Sequence, residues 1–238
     1  MLIWIIAGII SGFIKGLCGV GDAPVFSAIL AFASDNISIS PVSQMMSLPA
    51  NAYISWKERR FLDRRIWLPL SLLLICGSIP GTLLLKNTDT RPLKVVFGFF
   101  IVLVGVLLLM NELSPQKRKP SRFLMAVIGI LAGITSGLFG IGVLMTVYVS
   151  QTTDNLKAFK ANVCMVFTVG NIAVEIMYLI LGIFTRESVM RALMLFPFVM
   201  LGLFLGMKSS NYLDDRKAKI VIMVTLIVSG LAIALTNL

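Results

Sequence analysis

Apolar stretches separated by short polar gaps account for most of the chain: residues 1–33, 42–56, 66–86, 92–112, 123–150, 162–184, 192–207 and 220–238. Roughly 20 apolar residues carry a helix across the hydrocarbon core of a bilayer. Most of these stretches therefore read as membrane helices, the conformation that satisfies every backbone amide inside its own segment. No gap is long enough to hold a soluble domain, so the functional chemistry must lie among the apolar stretches. Pro80-Gly81 and Pro197 mark expected kinks within two of them.

The pattern occurs twice. GIISGFIKGLCGVG (8–21) matches GILAGITSGLFGIG (129–142), with Gly8, Gly12, Gly16, Gly19 and Gly21 falling on Gly129, Gly133, Gly137, Gly140 and Gly142 at an offset of 121. RPLKVVFGFFIVLVG (91–105) likewise resembles RKAKIVIMVTLIVSG (216–230) at an offset of 125. Five glycines in register inside equivalent stretches indicate duplication. The expected units are residues 1–113 and 123–238, joined by a basic cytoplasmic linker at 114–122.

Composition agrees with a membrane protein. Hydrophobic residues make up 58% of the chain and charged residues 13%, against roughly 25% charged in soluble domains. There is no histidine, and Cys18, Cys76 and Cys164 are far apart. That argues against a zinc site or a disulfide framework, and no metal or cofactor is expected. Without a nucleophile–histidine pair or a close carboxylate dyad, an intramembrane enzyme is disfavoured. The opening MLIWIIAGIISGF has no charged leader and no clear cleavage site, and reads as a retained membrane segment.

The net charge of +10 raises nucleic acid as a partner, but the distribution argues against it. The basic residues cluster in the gaps, most densely in KERRFLDRR (57–65) and SPQKRKPSR (114–122), the pattern that orients membrane proteins. If every stretch spans once, the gap cations, Lys157 and Lys160 among them, divide eleven to nine between the two sides. If residues 123–150 enter and return, they divide fifteen to five. The positive-inside rule prefers the second arrangement. By the repeat, residues 1–33 should also be re-entrant, as two limbs of about 13 residues, each too short to cross. The expected fold is an all-α integral membrane protein of two inverted repeats, each a re-entrant broken helix pair plus three transmembrane helices. It would be multi-pass in the cell's plasma or inner membrane.

The first three glycines of each motif, spaced GxxxGxxxG, suit close helix packing. The next two leave that helix face, which suits a break where backbone opens or approaches a ligand. Backbone N–H groups freed there, with helix N-termini, can hold an anion. Lys15 precedes the first break and has three readings: attraction of an anion, pairing with Asp22, or snorkelling to an interface. Asp22 reads as a proton-coupling group or as the cap of the following helix. Glu175, the acid in the middle of 162–184, reads as a coupling group or an interhelical bond. Asn51 and Asn171 (offset 120) and Ser47 and Thr168 (offset 121) put amides and hydroxyls on equivalent helices, for ligand binding or for interhelical bonding. Gln44 and Asn162 are further candidates of that kind.

GLCGVGDAP (16–24) and GLFGIGVLM (137–145), each opening one half, resemble the glycine motifs of the sulfite exporter TauE/SafE family. The resemblance extends over essentially the whole chain, including the duplicated halves and the basic linker. It implies a membrane permease for sulfite, organosulfonates or related small anions. The chain departs from the family pattern after each GxG, where Asp22-Ala23 and Val143-Leu144 replace a glycine-rich tail. An ionised Asp22 would repel an anion at the break.

The expected function is alternating-access permeation of a small anion such as sulfite, a sulfonate or a related organosulfur or organic acid, around one midplane site between the repeats. Gly19, Gly21, Gly140, Gly142, Asn51, Asn171, Ser47, Thr168 and Lys15 are expected to hold it, with Asp22 and Glu175 as coupling residues. An anion channel and a non-transporting partner subunit are the alternatives. The expected partners are the small anion and the lipid bilayer, and a homo-oligomer is compatible with this reading.

Overall fold

The computed structural model describes residues 1–30, 36–87, 122–139, 142, 144–153, 155–210 and 212, with individual positions between 95 and 109 and between 220 and 235. Gly140 and residues 114–121 of the linker lie outside the described residues. The described elements are helical: α1 (Leu2–Cys18), α2 (Asp22–Leu30), α3 (Asn36–Lys57), a 3₁₀ turn (Arg59–Phe61), α4 (Arg64–Asn87), α5 (Arg122–Phe139), α6 (Leu144–Thr152), α7 (Leu156–Ile180) and α8 (Arg186–Ser210). By length and composition α4, α7 and α8 suffice to cross a bilayer. Helix α3 is of similar length but more polar, and its polar side chains are packed inward. Helices α3, α4 and α8 contain prolines, at Pro41, Pro49, Pro69, Pro80 and Pro197.

Burial is arranged as lipid requires. Leu72, Leu179, Ile180, Leu193 and Leu201 are exposed, whereas Ser40, Gln44, Asn51, Ser71, Ser78, Thr82 and Asn162 are almost fully buried. Hydrocarbon tails are as apolar as leucine, so helix association relies on close packing and hydrogen bonds instead.

Glycine supplies the close packing. Helix α1 lies parallel to α8, and α5 lies parallel to α4. A Cβ on Gly12 would strike the Val199 carbonyl oxygen, and one on Gly16 the Leu203 carbonyl oxygen. The α8 side reciprocates at Gly202 and Gly206, whose Cβ atoms would strike the Ile9 and Phe13 carbonyls. In the other pair Gly133 and Gly137 meet the Leu74 and Ser78 carbonyls, while Gly77 and Gly81 meet those of Ile130 and Ile134. Each contact maps onto its counterpart by the offsets of 121 and 125. The first helix of either half is thus clasped by a helix of the other half.

Both glycine-rich segments interrupt their helices. Helix α1 ends at Cys18 with Gly19 (φ +83°) as its left-handed cap, the Gly19 N–H donating to the Lys15 carbonyl at 2.6 Å. Gly21 has φ +94°, and α2 begins at Asp22. These two positive φ values turn the chain back on itself, so that Phe26 of α2 packs edge-on against Trp4 near the start of α1 (centroids 5.8 Å apart). The limbs are unequal. The helices before the breaks have 17 and 18 residues and the helices after them 9 each, where limbs of about 13 are expected. The glycine stripe explains the difference, because close packing on α8 and α4 continues to Gly16 and Gly137 and holds the first limb helical.

Helix α3 packs against α7. Asn162, near the α7 N-terminus, holds the 57–65 segment: its Nδ2 donates to the Phe61 carbonyl (3.0 Å) and its Oδ1 accepts from the Asp63 N–H (2.9 Å). Residues 184–191 follow the other end of α7, about 35 Å away at 1.5 Å per residue.

Candidate functional site

Where the first break meets α3 and α7 there is a small recess, with about 20 Å³ of space for the centre of a water molecule. That is room for a water and too little for a sulfonate without side-chain movement. Gly21 of the first break and Gly142 of the second both line it. Lys15, Asp22, Ser47, Asn51 and Asn171 line it as well, with Phe167. Seven of the residues singled out by sequence therefore converge on one point from five parts of the chain.

Local structure explains the central pair. Lys15 occupies the last turn of α1 and Asp22 the first turn of α2. Cations are favoured at helix C-termini and anions at N-termini, so both helix ends support the charges that face each other across the break. Lys15 Nζ lies 2.8 Å from Asp22 Oδ1, with the side chains 2% and 15% exposed. Ser47 Oγ donates to Asp22 Oδ2, and the Phe167 ring centroid is 5.7 Å from Lys15 Nζ. Of the three readings of Lys15, pairing with Asp22 is the one seen. Asn51 is almost fully buried, and its Oδ1 has no hydrogen-bond partner among the described residues. Because amide oxygen and nitrogen are interchangeable in placement, Asn51 presents the recess with either an acceptor or an unused N–H₂.

The recess interrupts two polar seams. On α3, Ser40, Ser43, Gln44, Ser47, Asn51 and Ser55 are all buried and recur at three- and four-residue intervals along one face. On α7, Lys160, Cys164, Thr168, Asn171 and Glu175 recur in the same way. The seams run along helices that pack together. Several members already have partners: Gln44 Nε2 donates to the Ser136 carbonyl at 3.3 Å, Thr168 Oγ1 to the Cys164 carbonyl at 2.7 Å, and the Cys164 thiol to the Gly19 carbonyl at 3.2 Å.

Not every sequence candidate reaches the recess. Gly19 N–H is committed to the Lys15 carbonyl, and the residue instead leaves space for the Lys160 stem. Thr168 does not line the recess. Glu175 lies one turn beyond Asn171, half-buried, and its Oε1 has no hydrogen-bond partner among the described residues. Gly140 is outside the described residues.

Lys160 is the residue that sequence reasoning misplaced. Counted among the gap cations, it lies inside α7 and is 7% exposed. Its Nζ donates to the Gly16 carbonyl (3.0 Å) and to Ser210 Oγ (2.6 Å), joining α7 to the C-terminal ends of α1 and α8. The missed signal was its position four residues before Cys164 on the polar face of α7. A second, larger cavity of about 300 Å³ opens beside the α7–α8 turn, lined by Lys86, Thr185, Ser188 and Arg191 among others. Arg191 pairs with Glu187 and lies over the Trp4 ring, 4.8 Å from its centroid.

Comparison with known proteins accords with this architecture. Residues 4–233 match the model of the family described as sulfite exporter TauE/SafE. A protein of Methanocaldococcus jannaschii named a probable membrane transporter protein is 24% identical over 152 residues, which are 58% of this chain and 56% of that protein. The chain thus spans little more than half the length of that relative. No solved structure matches the chain. The family match covers nearly the whole chain, which therefore belongs to the sulfite exporter TauE/SafE family: it is a multi-pass membrane protein of a transporter family, not of an enzyme family.

Proposed function

We propose that this chain is a permease for a small oxyanion of the sulfite, sulfonate or carboxylate type, with its binding site at the recess between the two breaks. The observation that carries this reading is the convergence of Lys15, Ser47, Asn51 and Asn171 with Gly21 and Gly142 on one buried point. A buried cation and uncharged donors suit an oxyanion. Charged groups at membrane depth mark substrate pathways. The polar seams of α3 and α7 form the path to and from that point, with Glu175 and Asp22 as its coupling acids.

The two halves act as inverted repeats. Three observations support this: α1 runs parallel to α8 and α5 parallel to α4, α2 returns to the start of α1, and Asn162 holds residues 57–65 at the end of α7 opposite 184–191. Followed along the chain, these directions bring α1 in from one face and α5 in from the other. Access alternates as one half moves against the other around the fixed site. The mutual clasp of α1 on α8 and α4 on α5 makes the mobile units composites of both halves.

The test is flux of sulfite and methanesulfonate into reconstituted vesicles. Saturable flux is expected from the native protein, with at least a tenfold loss in Lys15→Met and in Asn171→Ala. Absence of flux above empty vesicles for every oxyanion, or unchanged flux in both folded variants, refutes the reading; flux that rises linearly without saturating points to a channel instead.

A further inference from the structure

The recess already contains a carboxylate, and its contacts describe the ligand. Asp22 uses its two oxygens separately: Oδ1 accepts from Lys15 Nζ at 2.8 Å, and Oδ2 accepts from Ser47 Oγ. Lys15 is 1% exposed and Ser47 is buried too, so neither donor is shared with bulk water. Around this group, Asn51 Oδ1 is buried without a partner among the described residues, and Asn171 lines the same small space. A site that displays a cation, a hydroxyl and two amides has its cation and hydroxyl taken up by a side chain of the protein itself.

We propose that Asp22 is an internal stand-in for the transported anion: its carboxylate occupies the substrate's place on Lys15 and Ser47 in the empty carrier, and the substrate's head group replaces it. This rests on the reading of the recess as an anion site, and it narrows that reading. Donors that engage two oxygens of one group select a head group with at least two oxygens, a carboxylate, sulfinate, sulfite or sulfonate. A halide is a single sphere and meets the two donors poorly. The stand-in also resolves the conflict raised by Asp22 in the sequence. An ionised carboxylate beside an anion site repels the ligand when the two are bound together, but not when they exchange. It also keeps the Lys15 charge paired in the empty state, when an unpaired buried charge would be costly.

The experiment is thermal unfolding of the detergent-purified full chain, native and Asp22→Ala, titrated with sodium formate, sodium methanesulfonate and sodium chloride at constant ionic strength. A ligand that binds only the folded state raises the unfolding temperature according to its concentration relative to Kd. Formate and methanesulfonate are expected to stabilise Asp22→Ala at concentrations at least tenfold below those the native protein requires. Chloride is expected to have no comparable effect, and the gain should vanish in Lys15→Met/Asp22→Ala. Equal responses of native protein and Asp22→Ala, chloride as effective as formate, or a gain that survives loss of Lys15 would each overturn the stand-in role. If Asp22→Ala does not fold, Asp22→Asn, which keeps the shape and removes the charge, is held to the same outcomes with methanesulfonate. Vesicle flux of the same anions separates the two readings. Native flux without a gain in Asp22→Ala overturns the stand-in and leaves transport standing, whereas a gain without native flux supports exchange of Asp22 for a bound anion but overturns transport, and with it the claim that this anion is a transported one.

Discussion

Replacing Gly12 with alanine adds one methyl group to α1, and the glycine contacts determine its cost. The new Cβ would fall on the Val199 carbonyl oxygen, with Leu203 N at 3.2 Å. Both obstacles are backbone, so no rotamer change relieves the overlap and α1 must move away from α8. Such overpacking costs about 1–3 kcal/mol, while alanine in a helix returns up to about 1 kcal/mol relative to glycine. At Gly12 the upper part of that range applies, and the net loss is about 2 kcal/mol. Gly8 provides the control one turn earlier. Its Cβ would meet Val199 Cγ2 at 3.2 Å, a methyl group that can shift, so the two terms nearly cancel. Gly133 faces the Leu74 carbonyl as Gly12 faces that of Val199, and should repeat its behaviour. For a chain of this size about 2 kcal/mol lowers the unfolding temperature by about 4–8 °C. Thermal unfolding of the four proteins in one mild detergent reads this directly. Gly12→Ala and Gly133→Ala should fall together, with Gly8→Ala close to the native value. A Gly8→Ala variant as unstable as Gly12→Ala, or unchanged stability at both Gly12 and Gly133, would refute the claim that backbone contact through glycine holds the halves together.

Two further predictions concern the ends of α7. Single cysteines at Arg60 and Glu187, in a background without the native cysteines, should react with an impermeant maleimide from opposite sides of sealed vesicles; labelling of both from one side would refute the inverted arrangement. Lys160→Met keeps the stem that packs over Gly19 but removes both donor contacts, to Gly16 and Ser210. Hydrogen bonds from charged groups contribute roughly 1.5–3 kcal/mol, so a drop in unfolding temperature of several degrees is expected, and an unchanged melting curve would show that these contacts do not stabilise the fold.

How much of this could be read from the chain follows from the range of each interaction. The breaks were legible because their causes are local. Gly19 and Gly21 stand where positive φ is required, and their spacing departs from the helix face set by Gly8, Gly12 and Gly16. Ser47, Asn51 and Asn171 were legible as candidates because polar side chains inside apolar stretches need partners, but which of them meet at the break was not: Thr168, the counterpart of Ser47, stays outside the recess. Lys15 was harder. Seven residues from Asp22, it had three readings of comparable merit, and only the turn at Gly19–Gly21 brings the two charges to 2.8 Å. Lys160 was misread because a lysine near the end of an apolar stretch looks like a loop cation. Its burial depends on Gly16 and Ser210, which are 144 and 50 residues away.

The sequence alone determined the membrane class and the interrupted helices, because hydropathy and glycine backbone freedom act within a few turns of chain. Tertiary structure decided that α1 clasps α8 and α5 clasps α4, that the first limbs extend to 17 and 18 residues, and that Asp22 rather than solvent neutralises Lys15. Those outcomes depend on which distant surfaces approach closely enough to exclude lipid and water, a condition that the order of residues along one strand of chain does not contain.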